Sequence, residues 1–171
     1  TATPVVTPEP TVEVTATPVV TPEPTVEITA TPVITARPTA TPTAKPTQDG
    51  GANQSSLAAQ VVEQVNAERA KYGLSSLRVD AELTRAANVR AQEIVESFSH
   101  TRPDGSQWST VSNSAYGENI AKGQKTVDRV MASWMSSEGH RANILRESYG
   151  SIGVSAYVVN GITYWVQLFG K

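Results

Sequence analysis

Only two histidines occur in the chain, His100 and His140, and each falls just past an amphipathic helical pattern, in polar, glycine- and serine-rich surroundings. His100 sits in Ser97-Phe98-Ser99-His100-Thr101, which runs into the turn Pro103-Asp104-Gly105. His140 sits in Ser136-Ser137-Glu138-Gly139-His140-Arg141. Between them, Tyr116-Gly117-Glu118-Asn119-Ile120 places a carboxylate between a glycine and apolar residues. Two imidazoles and a half-buried acid make the shell of one site, able to bind a metal or to share protons.

Each residue also has a plainer role open to it. His140 alone reads as a helix-end histidine bonded to free backbone groups, and His100 as a turn histidine that orders the following loop. Glu118 reads as a structural carboxylate paired with Arg141 or accepting backbone N–H bonds. A buried carboxylate without a partner is too costly to persist, so Glu118 needs His⁺, arginine or a metal beside it. Two neutral imidazoles with a carboxylate hold Zn²⁺ and leave a position for water, whose pKa the metal brings towards neutrality. No HExxH helix motif is present. The serine route has only Ser99, Ser136 and Ser137 as neighbours in sequence, and sequence does not show a Ser–His–acid geometry.

The positioning elements follow from periodicity. Leu57, Val61, Val62 and Val65 form an apolar stripe over a first helix from about Ser55 to Lys71, ended by Tyr72-Gly73. Asp80 is a good N-cap for a second helix through Ser97, with Leu83, Ala87, Ala91, Ile94 and Phe98 recurring at three or four. A polar loop runs to Asn113. A third helix begins near Thr126, with Val127, Val130, Met131 and Trp134 on one face, until Gly139 breaks it. Residues 140–145 read as a short fourth helix, and a short strand is expected before Glu118. Ile152, Val154, Ala156 and Val158 alternate, as do Ile162, Tyr164, Val166 and Leu168. Asn160-Gly161 between the two runs signals a type I′ hairpin. Trp134 and Met131 read as core. Tyr164 and Trp165 point to opposite faces of the last strand, one into the core and one outward. The fold class is α+β, helices packed on a small antiparallel sheet with a C-terminal hairpin.

Composition divides the chain. Ten of the eleven prolines fall between Pro4 and Pro46, and residues 1–14 recur from Thr15 with one change, Ile28 for Val14. Proline at this frequency removes backbone donors and blocks helix and sheet alike. Residues 1–54 are expected to be a Thr/Pro-rich, repetitive, disordered stalk, with Asp49 to Gln54 as a flexible joint. The proline-rich part would span on the order of 140 Å if fully stretched. Such tracts are often O-glycosylated in secreted proteins; an inert spacer is the preferred reading. Residues 55–171 are expected to be one globular domain, long enough to fold alone. The stalk carries five acids and two bases, which leaves the domain at +1 within a chain of −2. With no basic block, nucleic acid is excluded as a partner, and no apolar run reaches the length of a membrane span. There is no cysteine, so no disulfide framework exists. The chain starts at Thr1 with no visible signal peptide and reads as a processed or trimmed product.

Several motifs, taken in order, carry a resemblance. Asn66-Ala67-Glu68-Arg69, Phe98-Ser99-His100 before the Pro-Asp-Gly turn, Gly117-Glu118-Asn119-Ile120, residues 139–145 and the closing Tyr164-Trp165-Val166-Gln167-Leu168-Phe169-Gly170 together resemble the CAP superfamily, or SCP domain, in its cysteine-free bacterial branch. The resemblance covers essentially residues 55–171. It implies an α-β-α sandwich, export to the cell exterior or surface, and a cleft of two histidines and two acids. His100, Glu118 and His140 match that pattern. The second acid of the family lies three residues after the helix tryptophan, where this chain has Ser137; Glu138 stands one step later, rotated by about 100° on a helix. The cleft that the resemblance implies is thus His100, Glu118, His140 and, as the offset second acid, Glu138. His100, His140 and Glu118 are the candidate metal ligands, and Glu118 and Glu138 the candidate catalytic acids.

The favoured reading is a secreted, monomeric, non-enzymatic domain on a stalk. It would bind a lipid, a small apolar molecule or a cell-envelope component, with a divalent cation (Zn, or Mg or Ca) as candidate occupant and no organic cofactor. A metal-dependent hydrolase or peptidase using the same cleft, and a protein-interaction module with a vestigial cleft, are the alternatives.

Overall fold

A computed structural model describes residues 51–171, with side chains from Gln54 onward. The expected stalk lies outside the described residues up to residue 50. Its last four residues differ from expectation. Helix α1 spans Gly51–Lys71, so residues 51–54 are its first turn and not a joint.

Strand β1 (Arg78–Val79) and helix α2 (Ala81–Glu96) follow, then a 3-10 turn at Trp108–Val111 and strand β2 (Gly117–Lys122). Helices α3 (Val127–Ser136) and α4 (Glu138–Ile144) lead into the hairpin of β3 (Ser151–Val159) and β4 (Ile162–Gly170). Local chemistry sets most of these ends. The Asp80 carboxylate accepts from the Leu83 amide at 2.9 Å and the Thr126 hydroxyl from the Arg129 amide at 3.3 Å, each satisfying a free donor of a first turn. Asn160 and Gly161 hold φ of 52° and 72°, the positive pair that a two-residue type I′ turn demands.

Three local expectations are corrected. Gly139 does not break α3; the break is Ser137, in extended backbone at φ −93° and ψ 123°, and Gly139 lies inside α4. Phe98 falls beyond the end of α2 and is half exposed. The strand expected before Glu118 contains it.

The sheet runs β1-β3-β4-β2. It is mixed, because β1 pairs parallel with β3 while the other two pairings are antiparallel. A two-residue strand is too short to leave a periodic signal, so its addition was not legible. Helices cover both faces. Val61 and Val65 of α1, with Val130, Met131 and Trp134 of α3, pack with Ile152, Val154, Ala156, Trp165 and Phe169. Leu83, Ala87, Ala91 and Ile94 of α2 pack with Tyr157, Tyr164, Val166 and Leu168 on the other side. This is the α-β-α sandwich. Tyr164 and Trp165 do point to opposite faces, yet both are buried, since neither face meets water. Gly153 lets α2 approach. A Cβ there would stand 2.1 Å from the Leu83 carbonyl carbon.

Arg69, fully buried, ties the layers together with no acid partner among the described residues. Its guanidinium donates to the carbonyls of Ser75, Ile144, Arg146 and Tyr149 at 2.8 to 3.3 Å. Two of those carbonyls lie at or just past the end of α4, where a cation complements the helix dipole. Burial lowers the Arg69 pKa from its usual value, but the guanidinium remains charged.

Candidate functional site

Glu118 projects from edge strand β2 with its side chain wholly out of solvent. It is met from two directions. Arg90 Nε donates to Oε2 at 2.7 Å and Arg90 Nη2 to Oε1 at 3.3 Å, a two-pronged guanidinium–carboxylate pair. His100 Nδ1 lies 2.7 Å from Oε1, and its ring is 53% exposed. The tautomer follows from the partner: a carboxylate accepts only, so Nδ1 carries the proton and Nε2 is left facing away from Glu118.

Arg90 was not among the residues singled out from the sequence. It lies on the buried face of α2, between Ala87 and Ile94, with no exposed side-chain surface. A charged residue interrupting an apolar stripe was the available signal. The partner of Glu118 is this arginine and not Arg141, which is exposed. Arg90 Nη2 also donates to the Ser99 carbonyl at 2.8 Å, holding the backbone directly before His100. One guanidinium thus fixes both the carboxylate and the root of the imidazole that leans on it.

The charges continue outward. Arg90 Nη1 donates to Glu93 at 2.6 Å, and Arg102 grips the same carboxylate at 2.6 Å and bonds Thr110 at 3.1 Å. The series Arg102, Glu93, Arg90, Glu118 alternates in sign, so the buried cluster carries no net charge. Burial pushes the Glu93 pKa up, but hydrogen bonds from Arg102 and Arg90 outweigh it and leave the carboxyl below its usual range. Burial likewise opposes the Arg90 charge, and bonds to Glu118 and Glu93 overcome it.

His140 stands in the first turn of α4, half buried. A side-chain amide network holds that helix on β2. Asn119 Nδ2 donates to the His140 carbonyl at 3.1 Å and to Gln167 Oε1 at 3.0 Å. Asn143 Nδ2 donates to the Glu118 carbonyl at 3.2 Å and to Asn119 Oδ1 at 3.0 Å. Desolvation first, and the positive charge of a protonated His100 second, lower the His140 pKa from its ordinary value. Near neutral pH its imidazole therefore stays unprotonated, with a lone pair for a ligand.

Glu138 opens α4 on the exposed side and has no hydrogen bond or ion pair among the described residues. Glu118 spends its oxygens on three donors. Among the described residues, no three His, Asp or Glu side chains form a ready metal cage. His100 presents an imidazole oriented by a buried carboxylate through its Nδ1, and His140 a half-buried imidazole on α4.

Comparison with known proteins gives a consistent set of likenesses. The profile of the Cysteine-rich secretory protein family, CAP, matches residues 62–169. YkwD of Bacillus subtilis, described as an uncharacterized protein, is 40% identical over 133 residues, covering 73% of this chain and 51% of its own length. The chain therefore spans about half of that relative. A crystal structure of an extracellular protein containing a SCP domain from Bacillus anthracis superposes with a TM-score of 0.63 at 24% identity, over 69% of this chain and 41% of that one. An outer surface protein from Borrelia burgdorferi also superposes at 0.63, with 21% identity, over 74% of this chain and 98% of the other. At these identities the two structures speak to the fold.

Proposed function

The chain belongs to the cysteine-rich secretory protein (CAP) family, and from that premise we propose that it is an extracellular or cell-surface binding domain whose site is the cleft of His100, Glu118 and His140. A divalent cation would be held by the imidazoles of His100 and His140, with Glu118 fixing the first ring. A lipid, a small apolar molecule or a cell-envelope component would bind beside it. The placement outside the cell draws on the relatives described as extracellular and outer-surface proteins. No helix of the described residues is long and apolar enough to cross a membrane. The Thr/Pro-rich segment before residue 51 would serve as a spacer towards a surface or another module.

The observation that carries this reading is the contact of His100 Nδ1 with Glu118 Oε1 at 2.7 Å, locked from behind by Arg90. A carboxylate that orients an imidazole raises its basicity and aims its other nitrogen. The same engagement favours binding over hydrolysis, because a general base needs an oxygen open to the substrate and Glu118 offers its oxygens to Arg90 and His100. When bound, zinc or a similar ion supplies a Lewis-acidic centre for an anionic or carbonyl group of the ligand. Calorimetric titration with Zn²⁺ tests the site. Binding is expected in the unsubstituted chain and lost in the His100→Ala, His140→Ala double variant. Unchanged binding in that variant overturns the assignment. Turnover of a peptide or peptidoglycan panel that is abolished by chelator and by Glu118→Gln would replace binding with hydrolysis.

A further inference from the structure

The two edges of the sheet are finished differently. On β2 the outward carbonyls of Glu118 and Ile120 accept from Asn143 Nδ2 at 3.2 Å and Trp134 Nε1 at 3.4 Å, so side chains stopper that edge. On the opposite edge β1 covers β3 for two residues only, Arg78 beside Ser151 and Val79 beside Ile152. Asp80 N still reaches the Ile152 carbonyl at 2.9 Å, and the chain then turns away into α2.

The register shows which groups are left. Gly153, Ser155 and Tyr157 stand opposite Leu168, Val166 and Tyr164 and exchange their bonds with β4. Ile152 bonds outward to Asp80, so Val154, Ala156 and Val158 also aim their N–H and C=O groups at the open edge. Among the described residues, nothing bonds the outward backbone groups of Val154 and Ala156. Both residues are nevertheless buried, at 4% and 2% exposure. An unpaired strand edge is a template on which another extended chain can pair.

Its surroundings say what kind. Val154 and Ala156 lie on the floor of a groove of about 560 Å³. Ala58, Ala59 and Val62 of α1 form the apolar part of one wall, with Gln54 and Ser55 at its N-terminal end; Thr84, Asn88 and Gln92 of α2 form the other. The two helices cover opposite faces of the sheet, so both rise beside the edge. Another folded sheet cannot enter between them, whereas a single extended chain can. We propose that this groove binds an extended peptide, which adds as a strand beside β3. Successive side chains of a strand point to opposite faces, so apolar residues on the α1 wall alternate with polar residues on the α2 wall. The site is separate from the histidine cleft, since β2 and the β1–β3 margin are opposite sides of the sheet.

The probe is a peptide of alternating threonine and valine with a lysine at each end, titrated into the full nitrogen-15-labelled chain. The expected result is a shift of the Val154 and Ala156 amides together with slowed hydrogen exchange at both. Two further peptides carry N-methyl groups, one on its valines and the other on its threonines. Only one set of N–H groups can face β3, so one methylated peptide is expected to lose about tenfold or more in affinity and the other to keep it. Equal binding of both methylated peptides assigns the contact to side chains alone and overturns the proposal, as does equal loss. Val154 and Ala156 amides that already exchange slowly in the free chain, or that lose protection on dilution of a dimer, show the edge to be paired beforehand and also overturn it.

Discussion

Arg90 carries charge into the middle of α2, where alanine or leucine would pack with less desolvation. It is held there by two carboxylates and one carbonyl. Removing it strands Glu118 in a dry environment, and breaking a buried pair from one side costs far more than the pair contributes. Arg90→Met is therefore expected to lower unfolding free energy by about 3–5 kcal/mol in urea titrations. Glu118→Gln keeps the size and loses the charge that orients His100, so Zn²⁺ affinity is expected to fall roughly 10- to 100-fold by calorimetry. Glu93 supplies one part of the pH dependence, the pKa values of His140 and Asp104 being lowered as well. Its carboxyl titrates below the usual 4.5, so its contribution is complete above that pH and is lost as pH falls through the depressed folded value. Between those points the unfolded chain binds the proton first. Urea midpoints measured from pH 6 to pH 3 are expected to drop more steeply in the unsubstituted chain than in Glu93→Gln. The contact between His100 and Glu118 was foreshadowed in the sequence, because each is an ionisable group with turn or glycine neighbours. Arg90 was not, because its role depends on what lies across α2.

Elements are joined here by a few contacts that a pattern of hydrophobicity does not contain. Helix α4 has only seven residues, too short to be stable alone, and it depends on the Asn119 and Asn143 amides that fasten it to β2. Asn143→Ala leaves the Asn119 oxygen and the Glu118 carbonyl short of a donor. A loss of about 1–3 kcal/mol is expected, with faster hydrogen exchange confined to α4 as the distinguishing readout. Gly153→Ala acts between α2 and β3, where a methyl group would collide with the Leu83 backbone. Overpacking of about 3 kcal/mol or more is expected from thermal or urea unfolding. Helix starts at Asp80 and Thr126 and the Asn160-Gly161 turn were readable, since each is decided by side chains acting on their own backbone. The end of α3 was misplaced by two residues because Gly139 is compatible with helix or break, and the packing of α4 selected helix.

A sheet covered on both faces splits the hydrophobic residues into two groups that do not share neighbours. Val154 packs on the α1 and α3 side and Val166 on the α2 side. Val154→Ala and Val166→Ala are each expected to cost about 2 kcal/mol. The double variant should lose their sum to within about 0.5 kcal/mol, because the sheet separates the two cavities. A marked departure from additivity in urea titrations would contradict a layered core. The same coverage accounts for Tyr164 and Trp165: alternation along β4 assigns them to opposite faces but is silent on whether a second helical layer makes both faces interior.

What could be read from order and spacing alone is the set of local decisions: which segments wind, where caps and turns fall, and that ionisable residues punctuate them. These are short-range effects, settled by a residue and its neighbours within one or two helical turns. The fold itself settled Arg90 as the partner of Glu118, the burial of both β4 aromatics, the parallel β1 pairing, the exposure of Glu138 and the uncapped margin of β3. Each of those depends on which distant surface arrives alongside, and in a close-packed interior that is a property of the assembled layers.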